Sequence, residues 1–286
     1  MASFKAFQRL VAVASLAWLS ACGTNLLPGG ASSSPAFRAA GDPATGPLLR
    51  DGLEEYYRPV GSGTGKTFLL AINRVVSPHR IFGYDEARDM LFGAVDDPRD
   101  ANQVPCIYTG RVGPGVDNRE SATRQKLNAE HVWPQSKGAV GPGRTDLHHL
   151  FASDVDTNNR RSSYPMGHVE MVYWEARDGG VPGTGQNSRL GKDAAGNLVF
   201  EPRTSVRGDV ARALLYFYTV YGLGKQRASV DLANFRLELP ILLRWHSQDP
   251  VDQAERDRLE RVFAIQGNRN PFIDHPEWVF RVGQFL

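Results

Sequence analysis

A carboxylate stands beside a histidine in Asn128-Ala129-Glu130-His131-Val132-Trp133-Pro134-Gln135-Ser136, and two further polar runs follow. These are Asp146-Leu147-His148-His149-Leu150 and Ser153-Asp154-Val155-Asp156-Thr157-Asn158-Asn159-Arg160-Arg161-Ser162. Together they hold imidazoles, which are largely neutral at pH 7 and can take a proton from water. They also hold oxygen donors for a hard metal ion and arginines whose forks match phosphate oxygens. A base, oxygen ligands and phosphate grips are what hydrolysis of a phosphodiester requires, because water is a weak nucleophile and the diester is shielded by negative oxygens.

Such groups need elements to hold them. Leu48, Leu49, Leu53 and Tyr56 or Tyr57 make one apolar helical face ending at Pro59, and Phe68, Leu69, Ile72, Val75 and Val76 another ending at Pro78. Glu86 to Phe92 reads as a third, short helix. Val104 to Gly110 and Leu127 to Trp133 read as strands bounded by Gly, Pro, Asp and Asn, and Val199 to Pro202 as the end of another. Ser153, with Asp156 three residues on, is expected to start a helix as a weak capping box. Val210 to Tyr221 is apolar enough to be a central buried helix stopped at Gly222, with Asp209 as its cap. Leu237 to Trp245 and Val251 to Ile265 form two more, the latter with Asp249-Pro250 at N-cap and N1. The fold class expected is α+β, one mixed helix-rich domain with a small sheet and no internal repeat.

Residues 1–22 read as a targeting segment. Lys5 and Arg9 precede an apolar run, Leu10 to Trp18, that is too short for a permanent span. Leu19-Ser20-Ala21-Cys22 resembles a lipobox, so cleavage before Cys22 and acylation of its thiol and amino terminus are expected. Residues 23–45, rich in Gly, Ser, Pro and Ala, read as a flexible tether, leaving 46–286 as the folded body. The chain is therefore expected to be exported, anchored to a bacterial membrane by lipid on Cys22 or secreted. Of its 2 cysteines, Cys22 and Cys106, acylation of the first leaves the second without an intramolecular partner, so the body must rest on its apolar core. Setting aside Lys5 and Arg9 leaves 31 basic against 31 acidic side chains, so a phosphate-binding surface would have to be a local patch.

Three other signals weaken on inspection. Val60-Gly61-Ser62-Gly63-Thr64-Gly65-Lys66-Thr67 approaches a P-loop, but Val60 stands where glycine is required, so no ATP site is expected. Arg207-Gly208-Asp209 reads better as a helix start than as an adhesion tripeptide. No His-Glu-x-x-His or Cys-x-x-Cys spacing supports zinc. His246 and His275 sit beside Asp and Pro, where hydrogen-bonded structural roles are expected.

The polar runs resemble the endonuclease I family, exported bacterial nucleases of the His-Me-finger type that cut DNA and RNA with little sequence preference. The matching pieces, in order, begin with Tyr108-Thr109-Gly110, Glu130 to Ser136, Asp146 to Leu150, and Asn158 with Arg161-Ser162. Gly208-Asp209-Val210-Ala211-Arg212 and Gln266-Gly267-Asn268-Arg269-Asn270-Pro271-Phe272 follow. The resemblance implies a ββα-metal motif, two strands followed by a helix, with His131 on the strand side and Asn158 on the helix. It implies that His131 is the general base, its other ring nitrogen held by a backbone carbonyl. Glu130 and Asn158 would hold a divalent ion, Mg²⁺ with Mn²⁺ or Ca²⁺ as alternatives, and waters and substrate would complete the shell. Arg161 or Arg144 would meet the phosphate, Arg161 being equally open to a structural role. Products would carry 5′-phosphate and 3′-hydroxyl ends, and the chain would act as a monomer on nucleic acid.

His149 stands where one branch of the family has Asn, and that branch's disulfides are missing. Neighbouring strand residues face opposite ways, so Glu130 and His131 can share a site only where the strand ends or bends. Pro134 and the stretch Gly138 to Gly143 supply a bend. His131 is expected to be solvent-accessible, with a rate that rises as its imidazole loses a proton. A rival from another class is a non-catalytic surface lipoprotein binding a ligand or host protein, which accounts for the anchor and tether but not for the ordered runs.

Overall fold

Helices and short antiparallel ladders alternate through residues 46–98, 101–177, 187–224 and 227–286, the parts that this computed structural model describes. The expected leader, Cys22 and the tether lie outside the described residues. Helix α1 (Gly46–Tyr57) is followed by α2 (Gly65–Val76), which buries Phe68, Leu69, Ile72 and Val76. That is the face its periodicity predicts, and the glycine-rich stretch before it leads straight into the helix. Helix α3 (Tyr84–Met90) runs on into a π-helical turn, Leu91–Val95. A small hairpin, β1 (Gln103–Pro105) with β2 (Val112–Pro114), stands where one longer strand was expected. Between its strands Cys106 is buried as a free thiol.

Helix α4 (Arg119–Arg124), capped by Asn118, leads into β3 (Leu127–His131). This strand pairs antiparallel with β4 (Leu150–Asp154), Glu130 opposite Phe151 and His131 opposite Leu150. Helix α5 (Val155–Arg161) follows β4 without a loop. Its cap is Asp154, which accepts from Asp156 N at 3.1 Å and Thr157 N at 3.2 Å. The cap lies one residue beyond the expected Ser153 because Ser153 is fully buried in the β4 ladder. The Cys106 Sγ accepts from Asp154 N at 3.0 Å and from Thr109 N at 3.3 Å, tying the hairpin to this strand–helix junction.

A second sheet takes the order β5 (Met171–Glu175), β6 (Arg189–Lys192), β7 (Leu198–Glu201), all antiparallel, with an irregularity between Val172 and Trp174. Only its last strand shows in the sequence. Helix α6 (Arg207–Phe217), extended by the π-helical turn Tyr218–Gly222, is buried on nearly every side from Gly208 to Phe217. A helix buried on so many sides has to be central, its one fully buried charge, Arg212, being paired with Glu255 at 2.7 Å, and α7 (Leu232–Gln248) packs along it. Asp209 falls inside the first turn of α6 rather than capping it. Helix α8 (Gln253–Gln266) is capped by Asp252, which accepts from Glu255 N at 2.8 Å, so the expected cap at Asp249 shifts to Asp252. Asp249 instead accepts from Gly208 N at 2.8 Å, joining the end of α7 to the start of α6. Short helices α9 (Pro271–Asp274) and α10 (Trp278–Val282) close the chain. The class is α+β, as expected.

Candidate active site

His131 is the last residue of β3, and bends at Val132 and Trp133 turn the chain away from the sheet. Trp133 anchors that turn, stacked on Phe217 of α6 at 4.7 Å between ring centroids, its Nε1 donating to Lys137 O at 2.9 Å. Gly138 lies against the segment before α7 so closely that a Cβ there would sit 2.1 Å from Ser229 O. The loop is thus pinned at both ends before it reaches Gly143 and Arg144.

That loop supplies two backbone carbonyls to two histidines. His131 Nε2 donates to Arg144 O at 2.9 Å, and His149 Nε2 donates to Gly143 O at 2.5 Å. A carbonyl only accepts, so in both rings Nε2 carries the proton and Nδ1 the lone pair. The two Nδ1 atoms differ. His149 is fully buried and its Nδ1 is sealed without a partner, whereas His131 Nδ1, also unpartnered among the described residues, keeps contact with solvent. His131 is nevertheless only 5% exposed, which corrects the expectation of an accessible side chain. Burial, and then the neighbouring His149, hold its pKa down to about 3.

The loop's position depends on Asp146. Its carboxylate accepts from Tyr216 and Tyr221 hydroxyls, each at 2.8 Å, and from Gln266 Nε2 at 2.8 Å. Burial alone would raise its pKa, but His148, His79, His149 and the Gln266 amide hold it at about 2. His148 Nε2 donates to Asn268 O at 3.1 Å, and burial lowers its pKa to about 4 against the opposing pull of Asp146. The runs Asp146 to Leu150 and Gln266 to Asn268, far apart in sequence, therefore form one buried network behind the loop.

The other side of β3 faces α5, so Glu130 and Asn158 lie across the strand from His131, which stands at its very end, where the chain bends. Asn128 and Glu130, two residues apart, share that face, and so do Asn158 and Arg161, three apart on the helix. Asn158 Nδ2 donates to Asn128 Oδ1 at 2.8 Å. Glu130, 3% exposed, takes the Tyr108 hydroxyl on Oε1 at 2.8 Å. Arg161 Nε lies 3.0 Å from the same oxygen, but its N–H does not point at it, so that contact is electrostatic rather than a hydrogen bond. Arg161 is fully buried and spends its other nitrogens on Ser162 O at 2.8 Å and Val132 O at 2.6 Å. Burial raises the Glu130 pKa, and Arg161 and then Tyr108 oppose that rise.

Two oxygens on this face remain uncommitted to other side chains, Glu130 Oε2 and Asn158 Oδ1. Both are hard donors, so the pair fits a divalent ion that fills most of its shell with water and phosphate. Among the described residues no cluster of three or more His, Cys, Asp or Glu side chains could hold a metal.

The two candidate arginines part company. Arg161 is sealed inside the protein and takes the structural role, so the expectation that it grips the phosphate does not fit its place. Arg144 is exposed, and its carbonyl is the one that holds His131. The sequence reading missed Asn128 and Tyr108 as partners of the ligand pair. The two-residue spacing of Asn128 and Glu130 could have marked the first; the tyrosine stands at the head of the matching piece Tyr108-Thr109-Gly110, with no role attached to it.

A family model described as Endonuclease I matches residues 85–277. The chain is similar to an extracellular ribonuclease of Bacillus amyloliquefaciens, 33% identical over 238 residues, covering 79% of this chain and 76% of that one. An extracellular ribonuclease of Bacillus subtilis is equally similar, at 33% over 79% of this chain and 77% of its own. An extracellular deoxyribonuclease of Aeromonas hydrophila is 28% identical over 180 residues, 56% of this chain and 71% of that one.

Proposed function

Since this chain belongs to the endonuclease I family and is a nuclease, we propose that it hydrolyses DNA, RNA or both by a divalent-ion-dependent reaction in which His131 is the general base. The observation that carries this reading is the bond from His131 Nε2 to the Arg144 carbonyl. It fixes the tautomer and leaves the Nδ1 lone pair free to take a proton from water. The low pKa of the ring means that it is neutral whenever the substrate is present at ordinary pH. As water's oxygen bonds to phosphorus, the P–O3′ bond breaks and the departing 3′ oxygen is protonated from solvent, leaving 5′-phosphate and 3′-hydroxyl ends.

Glu130 and Asn158 would hold the ion, Mg²⁺ first, through Oε2 and Oδ1. Such an ion, when bound, supplies positive charge against the phosphate and its leaving oxygen. Tyr108 and Arg161 hold Glu130 Oε1 and leave Oε2 without a side-chain partner, and Asn128 takes the Asn158 amide N–H and leaves its Oδ1 unspent. Arg144 grips phosphate. The strands β3 and β4 with α5 then constitute a ββα-metal motif. Contact through backbone phosphates, without a groove-reading helix module, implies weak sequence preference.

The relatives are named extracellular, which supports export; Leu19-Ser20-Ala21-Cys22 alone is the ground for a lipid on Cys22, secretion being the alternative. The test is digestion of plasmid DNA and of RNA by purified protein with Mg²⁺, Mn²⁺, Ca²⁺ or chelator, beside His131→Ala. Cleavage that needs an ion and fails in His131→Ala is the expected result. Full cleavage in chelator, or by the variant, would overturn the proposal.

A further inference from the structure

One aromatic ring beside the candidate site has no part in the chemistry so far. Tyr84 opens α3, half-buried, with its ring centroid 5.9 Å from that of His131 and the planes inclined by 31°. The Arg144 Cζ lies 4.0 Å from the Tyr84 centroid, and the Arg88 Cζ lies 4.7 Å from it. Arg144 is exposed, and among the described residues its guanidinium makes no hydrogen bond and no ion pair; what it touches is this ring. The carboxylate next to Tyr84, Asp85, is engaged by Arg88 Nη2 at 2.5 Å and by Arg119 Nη2 at 3.9 Å. Arg119 also pairs with Asp89, and its backbone N–H donates to Asp89 Oδ1 at 3.0 Å. These contacts tie α3 to α4, so the ring stands on a braced element. Tyr84 also lies one residue before the segment that the family model matches.

We propose that Tyr84 is a positioning residue for the proposed reaction: its ring is a shelf that holds the Arg144 guanidinium extended beside His131, set to receive a substrate phosphate. This rests on the reading of His131 and Arg144 given above. An exposed arginine that acts on the nearby Asp85 only at a distance, with no ion pair to hold it, would otherwise sample many rotamers, few of them over the site. Stacking on a ring face removes part of that freedom before substrate arrives and keeps every N–H available, which an ion pair would not. An anion is the ligand that such an arrangement recognises, and a cation–π contact at an exposed site shifts occupancy by roughly two- to fivefold.

The experiment compares wild type with Tyr84→Phe, Tyr84→Leu, Arg144→Ala and the Tyr84→Leu/Arg144→Ala double variant, on one single-stranded oligonucleotide over a range of salt. Tyr84→Phe keeps the ring and should cleave as wild type does. Tyr84→Leu should raise KM by roughly two- to fivefold with kcat held within about twofold. Arg144→Ala should raise KM further and lower the salt slope by about 0.7, the value for one phosphate contact on a single strand. In the Arg144→Ala background Tyr84→Leu should add nothing, which a merely structural tyrosine would not produce.

An equal effect of Tyr84→Leu in both backgrounds overturns the shelf while leaving the assignment of Arg144 standing. So does a Tyr84→Phe variant as impaired as Tyr84→Leu, or an unchanged KM in Tyr84→Leu. Wild-type kinetics in Arg144→Ala would overturn the phosphate assignment and the shelf together. A His131→Ala control that still cleaves would show instead that the catalytic reading has failed.

Discussion

The two sides of β3 are built on opposite principles. Toward α5, nearly every polar atom has a partner: Glu130 takes Tyr108 and Arg161, Asn158 takes Asn128, and Arg161 spends its fork on two carbonyls. Toward the loop, His131 hangs on one carbonyl and Arg144 rests on one ring. Groups that hold the protein together are saturated and dry, and groups proposed to meet substrate or ion, Glu130 Oε2 and Asn158 Oδ1 on the α5 side among them, keep one valence unspent. Two arginines that look alike in sequence therefore answer different needs. A charge sealed with its partner is costly to orphan, whereas an exposed one adds little to stability.

The largest effect that would break this contrast is at His131. His131→Ala should lower cleavage on the order of 10² to 10⁴-fold, as loss of a general base does. Stability should fall by only about 1 kcal/mol, from the lost bond to the Arg144 carbonyl. Initial rates and urea unfolding measure the two. A variant that unfolds in step with its loss of activity would put His131 on the saturated side.

Next in size is Arg161→Met. It leaves Glu130 buried and unpaired, and should cost about 3–5 kcal/mol in urea unfolding. A Tm within a degree of wild type would mean that the pair is more solvated than its burial implies.

Acid should then separate folding from chemistry. The folded pKa values of His148, about 4, and His131, about 3, lie below the ordinary histidine value. As pH falls through 6.5 the unfolded chain takes up these protons and the folded chain does not, so stability present at pH 7 is lost between about 6.5 and 4. His148 alone accounts for a loss on the order of 3 kcal/mol across that window. Asp146, held at about 2, removes more once the pH passes below the ordinary carboxylate value. Cleavage by the protein that remains folded should stay flat from pH 5.5 to 8, because His131 is already deprotonated there. That reverses the rising limb expected from an unperturbed imidazole. A limb near 6.5 that vanishes in His131→Ala would show that the ring is wetter than its 5% exposure indicates.

The smallest expected effect sharpens the contrast most. Arg144→Met should unfold within about 0.5 kcal/mol of wild type, while its KM rises. If Arg144→Met destabilised the fold as much as Arg161→Met, the two sides would not differ in kind.

Much of this was legible in the sequence, for physical reasons that also explain the gaps. The face of α2 follows from helical period, the largely apolar α6 from its composition, and β3 from its bounded run, because burial writes itself locally. The carbonyl partner of His131 was expected, since a base needs a fixed tautomer. Strand β4 was not read, because its residues Leu150 to Asp154 are buried together and show no alternation. β5 and β6 are short and half-exposed and leave little signature. The burial of His131 and the sealing of Arg161 depend on α5 and the loop closing over β3, and no spacing along the chain encodes that. Tyr84 reaches His131 only through the tertiary fold.

Cys106 gives the molecule a built-in clock. Its sulfur is buried against the amide that starts α5, so a thiol reagent reaches it only when the hairpin lifts off the strand–helix junction. The ratio of its labelling rate to that of a free thiol is then the fraction of time this junction stands open. In protein with Cys22 replaced it is the single thiol in the chain. A colour change in a cuvette would therefore report how often the proposed metal-binding face comes apart, without any substrate present.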